Sequence, residues 1–283
     1  MPRLPEYLKR PIIDTEKTKT VRQILKSKCL NTVCEGARCP NKAECYASNT
    51  ATFLIMGNVC TRNCRYCNIS TERPKPLDLE EPKHIAEAIK ELGLRYAVIT
   101  SVTRDDLSDG GAEHFKNCID EIRKISDAKI EILTPDFKGK KDSLDTIIKA
   151  NPEVFNHNIE TVNELFKTAR PQGSYDLSIS VLKYIKDHSD IVTKSGLMVG
   201  LGEQAEELEE TLLDLKEAGV DIVTIGQYIQ PSKKHLKVVK YYTLSEFEEL
   251  KKLAKKIGFK NYQIGPLVRS SYQAMITWKK AKM

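Results

Sequence analysis

The sequence predicts an α/β fold, an incomplete (β/α)6 TIM-type barrel preceded by an N-terminal extension. Three observations predict it. From about residue 49 onward, short apolar runs alternate with amphipathic stretches. The runs are continuous, as in Tyr96-Ala-Val-Ile-Thr100, and a parallel strand covered on both faces reads this way. The chain has 283 residues, and what remains after the extension falls short of the ~250 residues typical of a closed eightfold barrel. A doubly wound open sheet is the alternative arrangement of the same elements.

The elements follow in order. Residues 1–48 are polar, show little strand periodicity, and read as helical only over 20–28. The first strand is Thr52-Phe-Leu-Ile-Met-Gly57. Residues 83–92 form a helix that places Ile85, Ala86, Ile89 and Leu92 on one face. Strand 96–100 leads to helix 113–125, striped by Phe115, Ile119 and Ile122. Then come strand 129–134, a short helix over 143–149, strand 154–159, a helical turn over 162–168 and helix 178–186. Strand 193–199 runs into Gly200-Leu-Gly202, and helix 206–218 follows with Leu208, Leu212 and Leu215. Strand 221–226, helix 244–257 and a final strand 260–265 complete the series. The expected division is an extension over 1–48, a barrel over 49–265 and a C-terminal segment over 266–283.

Composition narrows the class. With 40% hydrophobic and 30% charged residues the chain can bury a sizeable core. No apolar run reaches the length of a membrane span, so no membrane partner is expected. The first residues lack a secretory apolar stretch, and the chain reads as cytoplasmic. The net charge of +6 is spread along the chain; it suits an acidic macromolecule or an anionic cofactor, and equally suits solvated lysines. The run Lys233, Lys234, Lys237 and Lys240 carries the same two readings. There is no interleaving of basic and aromatic residues, so no nucleic acid partner is expected.

The chemistry lies in the cysteines. Six of the eight fall in two blocks, Cys34-x4-Cys39-x5-Cys45 and Cys60-x3-Cys64-x2-Cys67. Each block offers three thiolates, whereas an electron-carrying cluster is closed by four. An incompletely ligated metal is where chemistry occurs. A disulfide framework suits small secreted chains rather than this one. Zinc is the alternative, because Cys64 and Cys67 also form a C-x2-C pair. The second block follows the first strand, on the side where barrel enzymes keep their chemistry. Thr103-Arg104-Asp105, His157-Asn158 to Glu160, and Gln227-Tyr228 follow later strands in the same way. Gly200-Leu-Gly202 admits a close backbone approach to a cofactor or a plain turn. Lys194, in an apolar strand, needs an anionic partner, either a cofactor or a structural carboxylate. Cys118 reads as core, Cys29 lies off the spacing, and His157 and His235 read as structural or surface residues.

At Cys60-x3-Cys64-x2-Cys67, with Tyr66 before the last cysteine, the sequence resembles the radical S-adenosylmethionine (SAM) superfamily. Four further segments make it similar, within that superfamily, to the lipoyl synthases. They are the first cysteine block, Thr103-Arg-Asp-Asp-Leu107 with Asp109-Gly-Gly-Ala112, Asn156-His-Asn-Ile-Glu160, and Gly265-Pro-Leu-Val-Arg269-Ser270-Ser271-Tyr272. The resemblance implies a [4Fe–4S] cluster on Cys60, Cys64 and Cys67 that binds and cleaves SAM. It implies an auxiliary [4Fe–4S] cluster on Cys34, Cys39 and Cys45, with Ser270 as fourth ligand and Ser271 the alternative. It implies SAM contacts from Tyr66, Thr103, Arg104, Asp105, Asn158, Glu160, Lys194 and Gly200. The implied substrate is an octanoyl-lysine on a lipoyl-carrier protein, receiving sulfur at C6 and C8 from the auxiliary cluster. An electron donor such as ferredoxin or flavodoxin and an iron–sulfur carrier for cluster repair are the other implied partners. A biotin synthase-like or methylthiolating radical enzyme, a two-cluster electron carrier and a zinc-structured module are the competing readings.

Overall fold

The computed structural model describes residues 4–9, 16–36, 39, 41–47 and 51–282. The expected boundary at 48–49 lies outside the described residues. Contacts divide the chain into two compact units, one of residues 10–62 and 68–155, the other of residues 1–9, 63–67 and 156–283.

The first unit begins with helix α1 (Glu16–Ser27), strand β1 (Asn31–Thr32), and helices α2 (Val33–Gly36) and α3 (Lys42–Ala47). β1 pairs antiparallel with β2 (Thr52–Ile55), and β2 pairs in parallel with β3 (Tyr96–Ser101). β3 pairs in parallel with β4 (Lys129–Leu133), setting Ala97 opposite Ile130. Helices α4 (Glu81–Glu91), α5 (Ala112–Ile125) and α6 (Lys141–Ala150) alternate with these strands. Their apolar stripes fill the core with Ile85, Ile89, Phe115, Cys118, Ile119, Ile122 and Ile147, all essentially inaccessible. Pro82 in the first turn of α4 removes a donor that the helix leaves unsatisfied anyway.

The second unit starts at the end of β5 (Val154–Asn156) and continues with α7 (Asn163–Ala169) and α8 (Tyr175–His188). β6 (Val192–Val199), α9 (Ala205–Glu217) and β7 (Ile222–Gln227) follow, then α10 (Leu244–Ile257), β8 (Asn261–Gly265) and α11 (Ala274–Ala281). β6, β7 and β8 are parallel neighbours. α10 has a full capping box, Thr243 accepting from Glu246 N–H and Glu246 accepting in return. It ends on Gly258 at φ +99°, a conformation that suits glycine.

In the sheet as a whole the strands follow chain order from β1 to β8. The alternation of parallel strands and helices is the one the sequence predicts. β5 ends at Asn156, earlier than expected, and the chain bridges to β6 again only at Glu160, in an isolated pairing with Leu197. β1, α2, α3 and α11 are additions to the predicted elements. Among the described residues, no helix is long and apolar enough to cross a membrane.

Candidate functional site

The second cysteine block lies on the loop from β2 to α4. The chain leaves β2 through Met56 and Gly57, both at positive φ (+64° and +89°). Glu81 holds this turn, its carboxylate accepting from Met56 N–H at 2.8 Å and meeting His114 Nε2 at 2.7 Å. Gly111 faces the same turn, and a Cβ there would run into the Met56 side chain.

In the first unit, Cys60 is fixed by its backbone and by its sulfur. Its N–H donates to the Ser70 carbonyl at 2.9 Å. Its Sγ accepts from the backbone N–H groups of Arg62 at 3.4 Å and Thr103 at 3.3 Å. Thr103 O accepts from both the N–H and the hydroxyl of Thr61. Arg62 is the buried anchor. Its guanidinium donates to both oxygens of Asp105, at 2.7 and 3.0 Å, and to both oxygens of Asp136, at 2.6 and 2.7 Å. Burial alone would lower its pKa, but the two carboxylates outweigh burial and hold it charged. Arg104 is also buried and pairs with Asp106 at 2.8 Å. Of the three expected contacts after β3, Thr103 therefore touches the cysteine itself, while Arg104 and Asp105 are engaged in ion pairs.

In the second unit, the rest of the loop is held from other directions. Asn63 N–H donates to Gln172, and Arg65 N–H to the Ala169 carbonyl at 2.9 Å. Cys67 N–H closes a turn onto Cys64 O at 3.0 Å. His235 Nε2 lies 2.9 Å from the Cys67 carbonyl, while its Nδ1 faces the Ser232 hydroxyl. Because a carbonyl only accepts, Nε2 carries the proton in this contact. Tyr66 packs against the cluster of Leu201, Tyr228 and Val238. Its hydroxyl bonds the Glu160 carboxylate, and burial pushes the phenol well above its usual pKa. Burial also raises Glu160, against the pull of Arg170, Asn158 and Tyr66.

Asn158 links this group to the C-terminal segment. Its Nδ2 donates to Glu160 Oε1 at 3.1 Å and to Ser270 Oγ at 2.8 Å, and Ser270 returns a bond to Asn158 Oδ1 at 3.1 Å. Glycine makes this approach feasible. A Cβ on Gly196 would lie 2.9 Å from Asn158 Oδ1, and one on Gly226 would run into the Val268 carbonyl. Lys194 is buried in β6. Gly200, at φ +102°, lies against Gln227 and the Lys240 carbonyl.

The first cysteine block belongs to the first unit. Cys34 is buried in α2, Cys45 lies in α3, and Cys39 donates its N–H to the Cys34 carbonyl at 3.2 Å. The neighbouring Tyr46 is fully buried, with its hydroxyl on Thr32 of β1. Burial, with Cys34 and Cys39 alongside, pushes the Cys45 thiol up to about 12.

Comparisons with known proteins identify the family. The radical SAM superfamily matches residues 54–215. The lipoyl synthase of Caldanaerobacter subterraneus subsp. tengcongensis is 49% identical over 96% of both chains. That of Rubrobacter xylanophilus is 51% identical over 95% of this chain and 85% of its own. The chain belongs to the lipoyl synthase family. Solved structures share the fold. Methylornithine synthase superposes with a TM-score of 0.60 at 14% identity, over 95% of this chain and 77% of that one. Streptococcus suis SuiB bound to SAM gives a TM-score of 0.60 at 14% identity, over 80% of this chain and 54% of that one.

As a lipoyl synthase family member, the chain is a radical SAM enzyme that uses a [4Fe–4S] cluster and SAM. Among the described residues, no three His, Cys, Asp or Glu side chains are arranged to hold a single metal ion. The donor chemistry nevertheless fits iron–sulfur ligation. Cys60 Sγ already accepts two backbone N–H bonds, as a charged sulfur requires. Burial, and then the neighbouring thiols, make it unfavourable to ionise Cys45 unaided, and bound iron would reverse that balance because a coordinating thiol is deprotonated. Arg62 and His235 are the functional neighbours that sequence reasoning missed. Arg62 sits inside the motif and carried a signal, a cation between ligands with acids after the next strands. His235 carried none.

Proposed function

We propose that this chain inserts two sulfur atoms, at C6 and C8 of an octanoyl chain in amide linkage to a lysine of a lipoyl-carrier protein. The observation that carries the reading is the presence of two separate thiol triplets in a chain 49% identical, over 96% of its length, to a lipoyl synthase. Cys60, Cys64 and Cys67 hold the cluster that, when bound, supplies the electron for cleaving SAM and so a radical able to take hydrogen from unactivated carbon. Cys34, Cys39 and Cys45 hold the auxiliary [4Fe–4S] cluster, which supplies sulfur and is consumed. Ser270 is its fourth ligand, Ser271 the alternative. A serine oxygen is a hard ligand on a centre that favours thiolate, so it holds that iron weakly.

The chain's own residues bind and orient. In the first unit Thr103 fixes Cys60 and offers its side chain to SAM, with Arg104 and Asp105 stiffening the segment. In the second unit Tyr66, Asn158, Glu160, Lys194 and Gly200 form the SAM-facing set. Residues 1–48 act as the extension that carries the auxiliary site, 49–265 as the catalytic barrel, and 266–283 as the segment that brings in Ser270. Lys233, Lys234 and Lys237 are exposed and offer a basic face to an acidic carrier domain. Ferredoxin or flavodoxin serves as electron donor and an iron–sulfur carrier restores the auxiliary site. Neither nucleic acid nor membrane is engaged, and free thiols suit the reducing cytoplasm.

The test is anaerobic reconstitution, with iron and sulfide counted, followed by SAM, reductant and an octanoyl-lysine peptide or carrier. Expected are two inserted sulfurs, one 5′-deoxyadenosine per C–H bond broken, and loss of one cluster. SAM cleavage without sulfur gain would favour another radical enzyme. Cys39→Ala is expected to abolish sulfur insertion and spare SAM cleavage; loss of both would overturn the division of labour between the triplets.

A further inference from the structure

Within the second unit, the chain between β7 and α10 forms a closed loop over residues 228–239. Both of its ends are tied to the end of β6: Tyr228 N–H donates to the Val199 carbonyl and Val239 N–H to the Gly200 carbonyl, each at 2.9 Å. Surface loops whose ends meet and that pack on their own side chains are compact and frequently functional. This one is braced from inside. The buried Tyr228 hydroxyl donates to the Leu236 carbonyl at 2.9 Å, and Gln230 Nε2 to the His235 carbonyl at 2.9 Å. Those braces fix the two residues that reach the second cysteine block. Leu236 N–H donates to the Arg65 carbonyl at 3.0 Å, and His235 Nε2 to the Cys67 carbonyl at 2.9 Å. Between these two bonds the Tyr66 side chain packs against Leu201, Tyr228 and Val238. One loop therefore grips residues 65, 66 and 67 in succession.

The two hydrogen bonds make different demands on the sequence. Any residue except proline supplies a backbone N–H at position 236. The Cys67 carbonyl takes its bond from a side chain, so the residue type at 235 matters. Imidazole suits the place: the Ser232 hydroxyl meets Nδ1 at 2.9 Å, which leaves the Nε2 proton to the carbonyl. Ser232 is itself set by a turn, with His235 N–H on the Ser232 carbonyl at 3.1 Å. The Cys67 N–H closes onto the Cys64 carbonyl at 3.0 Å. Both peptide groups of Cys67 are thus engaged, one by the turn and one by His235. We propose that His235 is a positioning residue for the Cys64–Cys67 turn: through the Cys67 carbonyl it orders the backbone that bears two thiols before any iron arrives. This role deepens the reading of Cys64 and Cys67 as cluster ligands and rests on it. A turn ordered in advance loses less chain entropy when a cluster binds, so the cluster is held more firmly.

The test uses the full chain carrying Cys34→Ala, Cys39→Ala and Cys45→Ala as the parent, so that one cluster alone is read. In the metal-free chain, adding His235→Ala is expected to speed amide exchange at Cys67 roughly 5-fold, the worth of about one net hydrogen bond, and to leave the Val239 amide level. After anaerobic reconstitution the same variant is expected to lose iron to a chelator ~10-fold faster than the parent. Its electron paramagnetic resonance signal after reduction is expected to broaden. His235→Gln, whose amide can donate to the same carbonyl, is expected to restore most of each property. Val239→Ala, an exposed position on the same loop, is expected to change none of them. The positioning role is overturned if His235→Ala matches the parent in exchange and iron loss. It is overturned equally if His235→Gln fares no better than His235→Ala, since the effect then lies in loop packing and not in the donor. If the parent itself takes up no four-iron cluster, the assignment of Cys60, Cys64 and Cys67 fails first, and the positioning role with it. Circular dichroism checks that each variant is folded.

Discussion

At the scale of single residues, Arg62 has most at stake. It neutralises Asp105 and the buried Asp136 with four short bonds, from a position between Cys60 and Cys64. Arg62→Met takes the guanidinium from the buried Asp136, and a loss of about 3–5 kcal/mol is expected by chemical denaturation. Arg62→Lys keeps the charge but not the planar fork, so it should recover only part of that loss. Low iron retention on the Cys60 loop in both variants would accompany it. Gly226→Ala tests a different residue property. The new methyl meets the Val268 carbonyl, a backbone atom that cannot swing aside, and a cost of about 1–3 kcal/mol is expected. Proteolysis should then reach residues 266–272 first. The cysteine blocks were legible as candidate sites because their spacing is local in sequence. His235 was not, since its contact with Cys67 spans 168 residues and rests on one imidazole proton.

At the scale of elements, α10 shows how a helix is specified at both ends. Thr243→Ala removes an N-cap and should cost about 1 kcal/mol. Glu246 completes the box and also pairs with Lys240, which with the Thr243 backbone lowers its pKa from 4.5 to about 2. A depressed carboxyl stabilises the fold above its unfolded value and loses that contribution as pH falls. The fold should therefore weaken between pH 4.5 and about 2. Glu246→Gln should flatten this part of the acid titration, followed by circular dichroism on the metal-free chain; an unchanged slope would remove the ion pair from the account. Long apolar strands such as β3 and β6 and striped helices such as α5 were readable because burial writes their period into the chain. β1, α2 and α3 were not, being two to six residues long, too short for any period to register. The early end of β5 was hidden as well, because only the backbone shows the regular strand stopping at Asn156.

At the scale of the whole molecule, the net charge of +6 becomes testable through the carrier. Reversing Lys233, Lys234 and Lys237 to glutamate should raise KM for an acidic carrier domain by roughly tenfold at low salt, the effect fading as salt rises. KM for a short octanoyl-lysine peptide should stay level, because the peptide lacks the charged surface. Equal effects on both substrates would move these lysines out of the docking surface. The order of strands followed from the alternation of elements. The expected location of the chemistry rests on one rule, that barrel enzymes act where their strands end.

The two N–H bonds on Cys60 Sγ have an electrical consequence. Hydrogen bonds to a ligating sulfur drain negative charge from it and shift the reduction potential of the cluster it serves upward. One donor is the backbone N–H of Thr103, just past β3, so with the proposed cluster on Cys60 the position of that segment would enter the voltage at which the enzyme can be primed. Replacing Thr103 with proline deletes that donor. The resulting chain would demand a stronger reductant, and the set of electron carriers able to drive it would narrow.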